Sequence, residues 1–171
     1  MPFTPYHMGP GMLVKAALRG GFSLMIFGWT QVVTDLEPLV AMVRGTGDLH
    51  GYSHTYLGAV FIALFCAGTG KYAVELVLRV IDGPLIKTAA VPWWVAMLSA
   101  FIGSFSHVAL DSIMHADVTP FAPFSMASPI HGLISRDEIH EFCVCTGVVG
   151  LLLYGAVSAV IWRRQRAVGR T

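Results

Sequence analysis

The chain has 171 residues, of which 55% are hydrophobic and only 12% charged, with a mean hydropathy of +0.66. A soluble domain carries about 25% charged residues, so this composition argues against a soluble globule and for a single small helical bundle in a membrane, spanning 1–171. The net charge of +1 gives no footing for nucleic-acid binding.

The N-terminal stretch GPGMLVKAALR is apolar but too short to cross a bilayer, which needs about 20 apolar residues. Lys15 and Arg19 interrupt it and no small-residue cleavage site follows, so no cleavable signal is expected. Gly20-Gly21 can turn this short helix back against a first span, residues 22–43, which carries Asp35 and Glu37 and is ended or kinked at Pro38. A weaker span starts near His54 and runs towards Lys71, with residues 72–82 extending it as an amphipathic helix along the membrane surface. Further spans are expected at 91–114 and 143–162. Between them Pro120, Pro123 and Pro129 mark a non-helical loop, and Ser135-Arg-Asp-Glu138 reads as a capping box. The expected fold is therefore all-α, a polytopic bundle of four transmembrane helices plus a short N-terminal helix. Cys66, Cys143 and Cys145 are read as small packing residues rather than a disulfide framework.

The basic residues divide unevenly among the flanks. Lys15, Arg19, Lys71, Arg79, Lys87, Arg163, Arg164, Arg166 and Arg170 fall on one side, against Arg44 and Arg136 on the other. The positive-inside rule then puts both termini in the cytoplasm and the segments around 44–54 and 115–142 outside.

Ionisable side chains within a bilayer are costly, so a cluster of them points to function. His7 lies about as far before Gly20-Gly21 as Asp35 lies after it, so the hairpin brings both to one depth, about 20 Å from the turn. His107 reaches a similar depth in the 91–114 span, and His50 and His54 sit at the mouth of the second span. Lys15, inside the hairpin, must snorkel towards the inner face. His107 and Asp111, spaced i, i+4, share one helix face, and His115 continues the row. Imidazole with carboxylate suits zinc first, with manganese or iron as alternatives. The expected metal ligands are His7, Asp35, His54, His107 and Asp111. Glu37, His50, His115 and Asp117 are available to complete a second metal or to act as general acid or base. Gln31, one turn before Asp35, is placed to orient a ligand. His131 and His140 are assigned to the solvated loop and first turn beyond the site.

Four motifs together resemble the YdjM-like inner-membrane metal-dependent hydrolase family. They are His7 before an N-terminal helix, Asp35-Leu-Glu-Pro38, His50-Gly-Tyr-Ser-His54-Thr55, and His107-x-x-x-Asp111 followed by Asp117-Val-Thr-Pro120. The order of ligand types is also similar to the soluble zinc-dependent phospholipase C and nuclease class. The resemblance implies a metal-dependent hydrolase of the inner membrane, and the leading expectation is metal-assisted hydrolysis of a phosphoester, including that of a phospholipid, at the outer-half site the depths give. Two other readings compete. A metal or proton transporter needs polar groups through the full membrane thickness, whereas FSLMIFGW and PWWVAMLSAFIG look dry. A non-catalytic subunit with a structural metal needs a closed coordination sphere.

Overall fold

The computed structural model describes residues 5–45, 49–82 and 90–168. Lys87 and Arg170, counted above among the basic flanks, lie outside the described residues. Among the described residues the structure is helical without strands: α1 (Met8–Leu18), α2 (Leu24–Thr34), α3 (Leu36–Arg44), α4 (Tyr56–Asp82), α5 (Trp93–Met114) and α6 (Arg136–Val168). Three of them, α4, α5 and α6, are long and apolar enough to cross a membrane.

The hairpin between α1 and α2 forms where Gly20-Gly21 predicts it. Its left-handed residue is Arg19, with φ of 48°. Gly21 is needed for closeness instead, since a Cβ there would sit 3.0 Å from the Trp94 ring. Lys15 points away from the α1 N-terminus, and its Nζ donates to the carbonyls of Arg19 at 2.6 Å and Phe22 at 2.7 Å. It thereby caps the turn and satisfies its own charge. Ser23 caps α2 by accepting from the Ile26 N–H, and its own N–H donates to Ser99 Oγ on α5 at 2.8 Å.

Two predicted elements differ. The first span is not one uninterrupted helix: it breaks at Asp35 into α2 and α3, each too short to cross by itself. Pro38 lacks an N–H, so the Thr34 carbonyl loses its i+4 donor and the ladder is interrupted one turn before the proline. The second span is not the weak one. It continues without a break from Tyr56 to Asp82, so residues 72–82 are the end of α4 rather than a separate surface helix. The charges that depress its hydropathy, Lys71 and Glu75, are buried and bonded to each other one turn apart. Glu75 also accepts the Val91 N–H at 2.9 Å, which ties α4 to the start of α5.

α2, α4 and α5 enclose an apolar core of Ile26, Ala63, Cys66, Ala67, Val74, Ala96 and Ala100. α1 packs mainly on α6 along glycines. A Cβ on Gly9 would strike the Cys143 carbonyl, and one on Gly150 would come within 2.5 Å of the Leu13 backbone nitrogen. Small residues let helices approach closely where apolar burial gives no drive for association. The predicted capping box opens α6: Ser135 Oγ donates to Glu138 Oε2 at 2.7 Å, and Ser135 N–H to the same oxygen at 2.9 Å.

Gly150→Ala therefore forces α1 off α6 and should cost about 1–3 kcal/mol. Gly155→Ala on the same helix, with nothing within 4 Å, should stay within about 0.5 kcal/mol. Unfolding midpoints of the two variants in one mild detergent check the contrast.

Candidate metal centre

The break between α2 and α3, the turn before α4 and the last turns of α5 meet at one end of the bundle. Asp35, His54, His107 and Asp111 are all buried there, and one ligand atom from each lies within 4.8 Å of every other. Asp111 is the hub. Its Oδ2 is 3.1 Å from His54 Nε2 and 3.2 Å from His107 Nε2, while its Oδ1 is 3.4 Å from His7 Nε2. Asp35 Oδ1 lies 3.4 Å from His107 Nε2 and 4.0 Å from His54 Nε2.

The tautomer of His107 follows from its neighbours. Gln31 Nε2 donates to the Gly103 carbonyl at 3.0 Å, which turns the amide oxygen towards His107. That oxygen can only accept, so His107 Nδ1–H donates to it at 2.8 Å. Nε2 is left facing two carboxylates. His54 is similar, its Nδ1 lying 2.9 Å from Ser53 Oγ. Despite the short distances, Nε2 of His54 and of His107 and both ring nitrogens of His7 make no aligned hydrogen bond, His7 Nε2 standing 3.4 Å from Asp111 Oδ1. Imidazole nitrogens and carboxylate oxygens that converge at 3.1–4.0 Å in a buried site fit a shared cation between them. Burial also holds the His54 imidazole below its ordinary pKa, against the opposing pull of Asp111. At neutral pH it is then uncharged and able to ligate.

A second group shares the hub. His50, Asp111 and His115 also bring ligand atoms within 4.8 Å of one another, nearer the surface than the first set. The His50 and His115 rings are 4.5 Å apart. His50 Nδ1 bonds Asp117 Oδ2 at 2.8 Å, the carboxylate–histidine arrangement that orients metal ligands elsewhere. Partial burial acts to raise the Asp117 pKa, but this bond outweighs it and the carboxyl is lowered. Burial is the main cause that lowers His115.

Several sequence-predicted residues take different places from those expected. His7 does reach the centre, where it meets Asp111 and the ring of His107, both on α5. Glu37 joins neither ligand group among the described residues. Its Oε2 accepts the Ser53 N–H at 2.7 Å and its carboxylate fills the space a Cβ on Gly51 would need, so it holds the turn that carries His54. Asp117 hydrogen-bonds His50 and joins neither ligand group among the described residues. His140 stacks on Tyr6 at 4.4 Å, and His131 is exposed. The roles of Ser53 and Gly103 were not read from the sequence. Both act through contacts that spacing does not reveal.

The proline-marked loop docks on the site's rim, where the Pro120 carbonyl accepts the Tyr56 N–H at 2.8 Å. Between it, α3 and the 49–55 segment lies a cleft of about 610 Å³ whose lining includes Glu37, Arg44, His50 and Asp117.

Comparison of the chain with protein-family profiles, curated proteins and solved structures gave no match.

Gln31→Leu removes the acceptor that sets the His107 tautomer and should weaken divalent-metal affinity about 10–100-fold. Glu37→Gln, which keeps an acceptor for Ser53, should leave affinity within about threefold. Competition against a chromogenic chelator measures both.

Proposed function

We propose that the protein is a membrane-embedded, metal-dependent hydrolase that acts on a phosphoester. The observation that carries this reading is the sharing of Asp111 between two ligand groups, one buried and one opening towards a cleft. A carboxylate common to two groups could serve two ions, which would supply electrostatic stabilisation to a phosphoryl displacement. Asp35, His54, His107 and Asp111 would hold the inner ion, with His7 beside them. His50, Asp111 and His115 would hold the outer one. When bound, metal there would supply activated water at neutral pH, its pKa lowered to about 7. Asp117 orients His50 and can take a proton at its exposed oxygen. Glu37 keeps the His54 turn in place. Zinc fits the imidazole-rich set first, with manganese or iron as alternatives. The motif resemblance to YdjM-like hydrolases points to the same chemistry.

Transport is the weaker reading. The ligand groups stand at one end of the bundle, and beyond them the interior is the apolar cluster of Ile26, Ala63, Cys66 and their neighbours. The buried hydroxyls beside that cluster are engaged by the backbone: Thr30 and Thr34 donate to the carbonyls of Phe27 and Thr30, and Ser99 accepts the Ser23 N–H. A purely structural metal is disfavoured by the surface-facing second group, which leaves room for water and substrate. In this reading α2 and α3 together make a fourth crossing, both termini lie in the cytoplasm, and the site faces the outer side of an inner membrane.

Metal analysis and p-nitrophenyl phosphate hydrolysis by the detergent-purified protein test the proposal. Two equivalents of metal are expected in the native protein and one in His115→Ala. Asp111→Asn should lose activity by about a hundredfold or more. Absence of stoichiometric metal, together with unchanged turnover in Asp111→Asn, would refute it.

A further inference from the structure

Between Asp117 and Arg136 the chain carries no Asp, Glu, Lys or Arg. This long uncharged stretch is not helical, yet it holds large apolar side chains at its surface. Phe124 is 87% exposed, Met126 74% and Leu133 70%, and Phe121 and Ile134 are exposed as well. A loop bathed in water gains nothing from such a set, so the patch marks an interaction surface.

Its place in the fold identifies the partner. Phe121 and Phe124 do not stand above the bundle. With Tyr56, Leu57 and Val60 of α4 and Phe105 of α5 they line an apolar groove of about 320 Å³. Phe121 packs on the Tyr56 ring at 5.4 Å, which in turn meets Phe105 at 5.5 Å. Val60 is one turn into α4, and Phe105 is more than two turns in from the end of α5. The two phenylalanines therefore hang beside the spanning helices. Below the groove the outward face of α4 continues as Phe61, Leu64 and Phe65, all exposed. In a helix that crosses a bilayer, such a face meets acyl chains. The loop patch is continuous with that face and shares its character.

The backbone suits the same surroundings. Hydrocarbon offers no hydrogen bonds, so a segment that enters its edge must pair its own N–H groups. Pro120 and Pro123 have none to pair. The Ala122 N–H donates to the Thr119 carbonyl at 3.1 Å, and those of Phe124 and Ser125 both donate to the Phe121 carbonyl, at 3.0 and 3.1 Å.

We infer that the 121–126 segment is a wedge embedded in the acyl edge of the leaflet at the site end of the bundle. Its side chains enter about as deep as the apolar face of an interfacial helix, roughly 5–10 Å. Its partner is bulk hydrocarbon, met without headgroup selection, and not a ligand of the metal centre. Ala122, Pro123 and Met126 also line the cleft beside the second ligand group, so the wedge fixes the mouth of that cleft at the membrane surface. A wedge of this kind needs neither metal nor turnover to form.

Single nitroxide labels at Phe124→Cys, Met126→Cys, Leu151→Cys and Asp137→Cys test it in a Cys145→Ser background, where the remaining Cys66 and Cys143 are buried. Each full-length variant is reconstituted in phosphatidylcholine nanodiscs. EPR then measures collisions with oxygen, which concentrates in hydrocarbon, and with nickel-EDDA, which stays in water. Position 151, on the exposed face of α6, marks hydrocarbon, and position 137, in the first turn of α6, marks water. Labels at 124 and 126 should give the oxygen-to-nickel ratio found at 151, about tenfold above that at 137. A ratio nearer to that at 137 overturns the inference. So does protection from both reagents, which would mean that a second copy or another protein covers the loop. Should Phe124→Cys prove unstable, Met126→Cys reads the same depth.

Discussion

Two carboxylates placed in apolar helical surroundings set the terms for this end of the molecule. Asp35 and Asp111 are both nearly inaccessible to solvent, and a buried carboxylate without compensation costs several kcal/mol. The structure answers by bringing imidazoles from three other places in the chain. His7 comes from the start of α1, His54 from the turn before α4 and His107 from the turn of α5 before Asp111. The helix order follows from that demand. α1 must fold back on α2 for His7 to arrive, and α4 must begin where α5 ends for His54 to face Asp111.

Helix packing and ligand chemistry are coupled through Gln31 and Gly103. A Cβ on Gly103 would collide with Thr30 Oγ1, so the glycine lets α2 and α5 approach closely at this level. The same residue's carbonyl accepts from Gln31 and thereby turns the amide oxygen onto His107. The approach of two helices thus determines which nitrogen of His107 carries its proton. Any change that widened the α2–α5 gap would loosen the imidazole as well. The neighbouring hydroxyls of Thr30 and Thr34 are spent on the carbonyls of Phe27 and Thr30, so Gln31 has no nearby side-chain substitute.

Patterns within one helix were readable from sequence, and contacts between segments were not. The span at 91–114 matches α5 to within two residues because an apolar run bounded by Pro92 is a local signal. The Ser135–Glu138 cap and the Gly20-Gly21 hairpin are local in the same way. His107 and Asp111 share a face because of helix periodicity alone. The place of Glu37 could not be read so. Its partner is the backbone of Ser53, sixteen residues on, and a second carboxylate beside Asp35 suggests a ligand until that bond is seen. The strength of α4 was hidden for a related reason. A hydropathy sum charges Lys71 and Glu75 separately, whereas in the fold each neutralises the other.

The polarity of the bundle also bears on how a substrate reaches the centre. At the end away from the site, Lys15 is held by turn carbonyls, Lys71 and Glu75 by each other, and Arg19 donates from Nη2 to Ser158. These groups close that end electrostatically, and the apolar core between α2, α4 and α5 closes it sterically. At the site end the second ligand group is only partly buried, and the cleft beside it opens among the 49–55 and 117–126 segments. A reactant must therefore enter and leave by the same face. A through-path for ions needs both ends open in turn, and such motion would have to separate the Ser23–Ser99 and Glu75–Val91 ties that join α2 and α4 to α5. A site reached from one side, with its deeper groups held by helix packing and its shallower ones on loops, is in keeping with the proposed hydrolase rather than with a carrier.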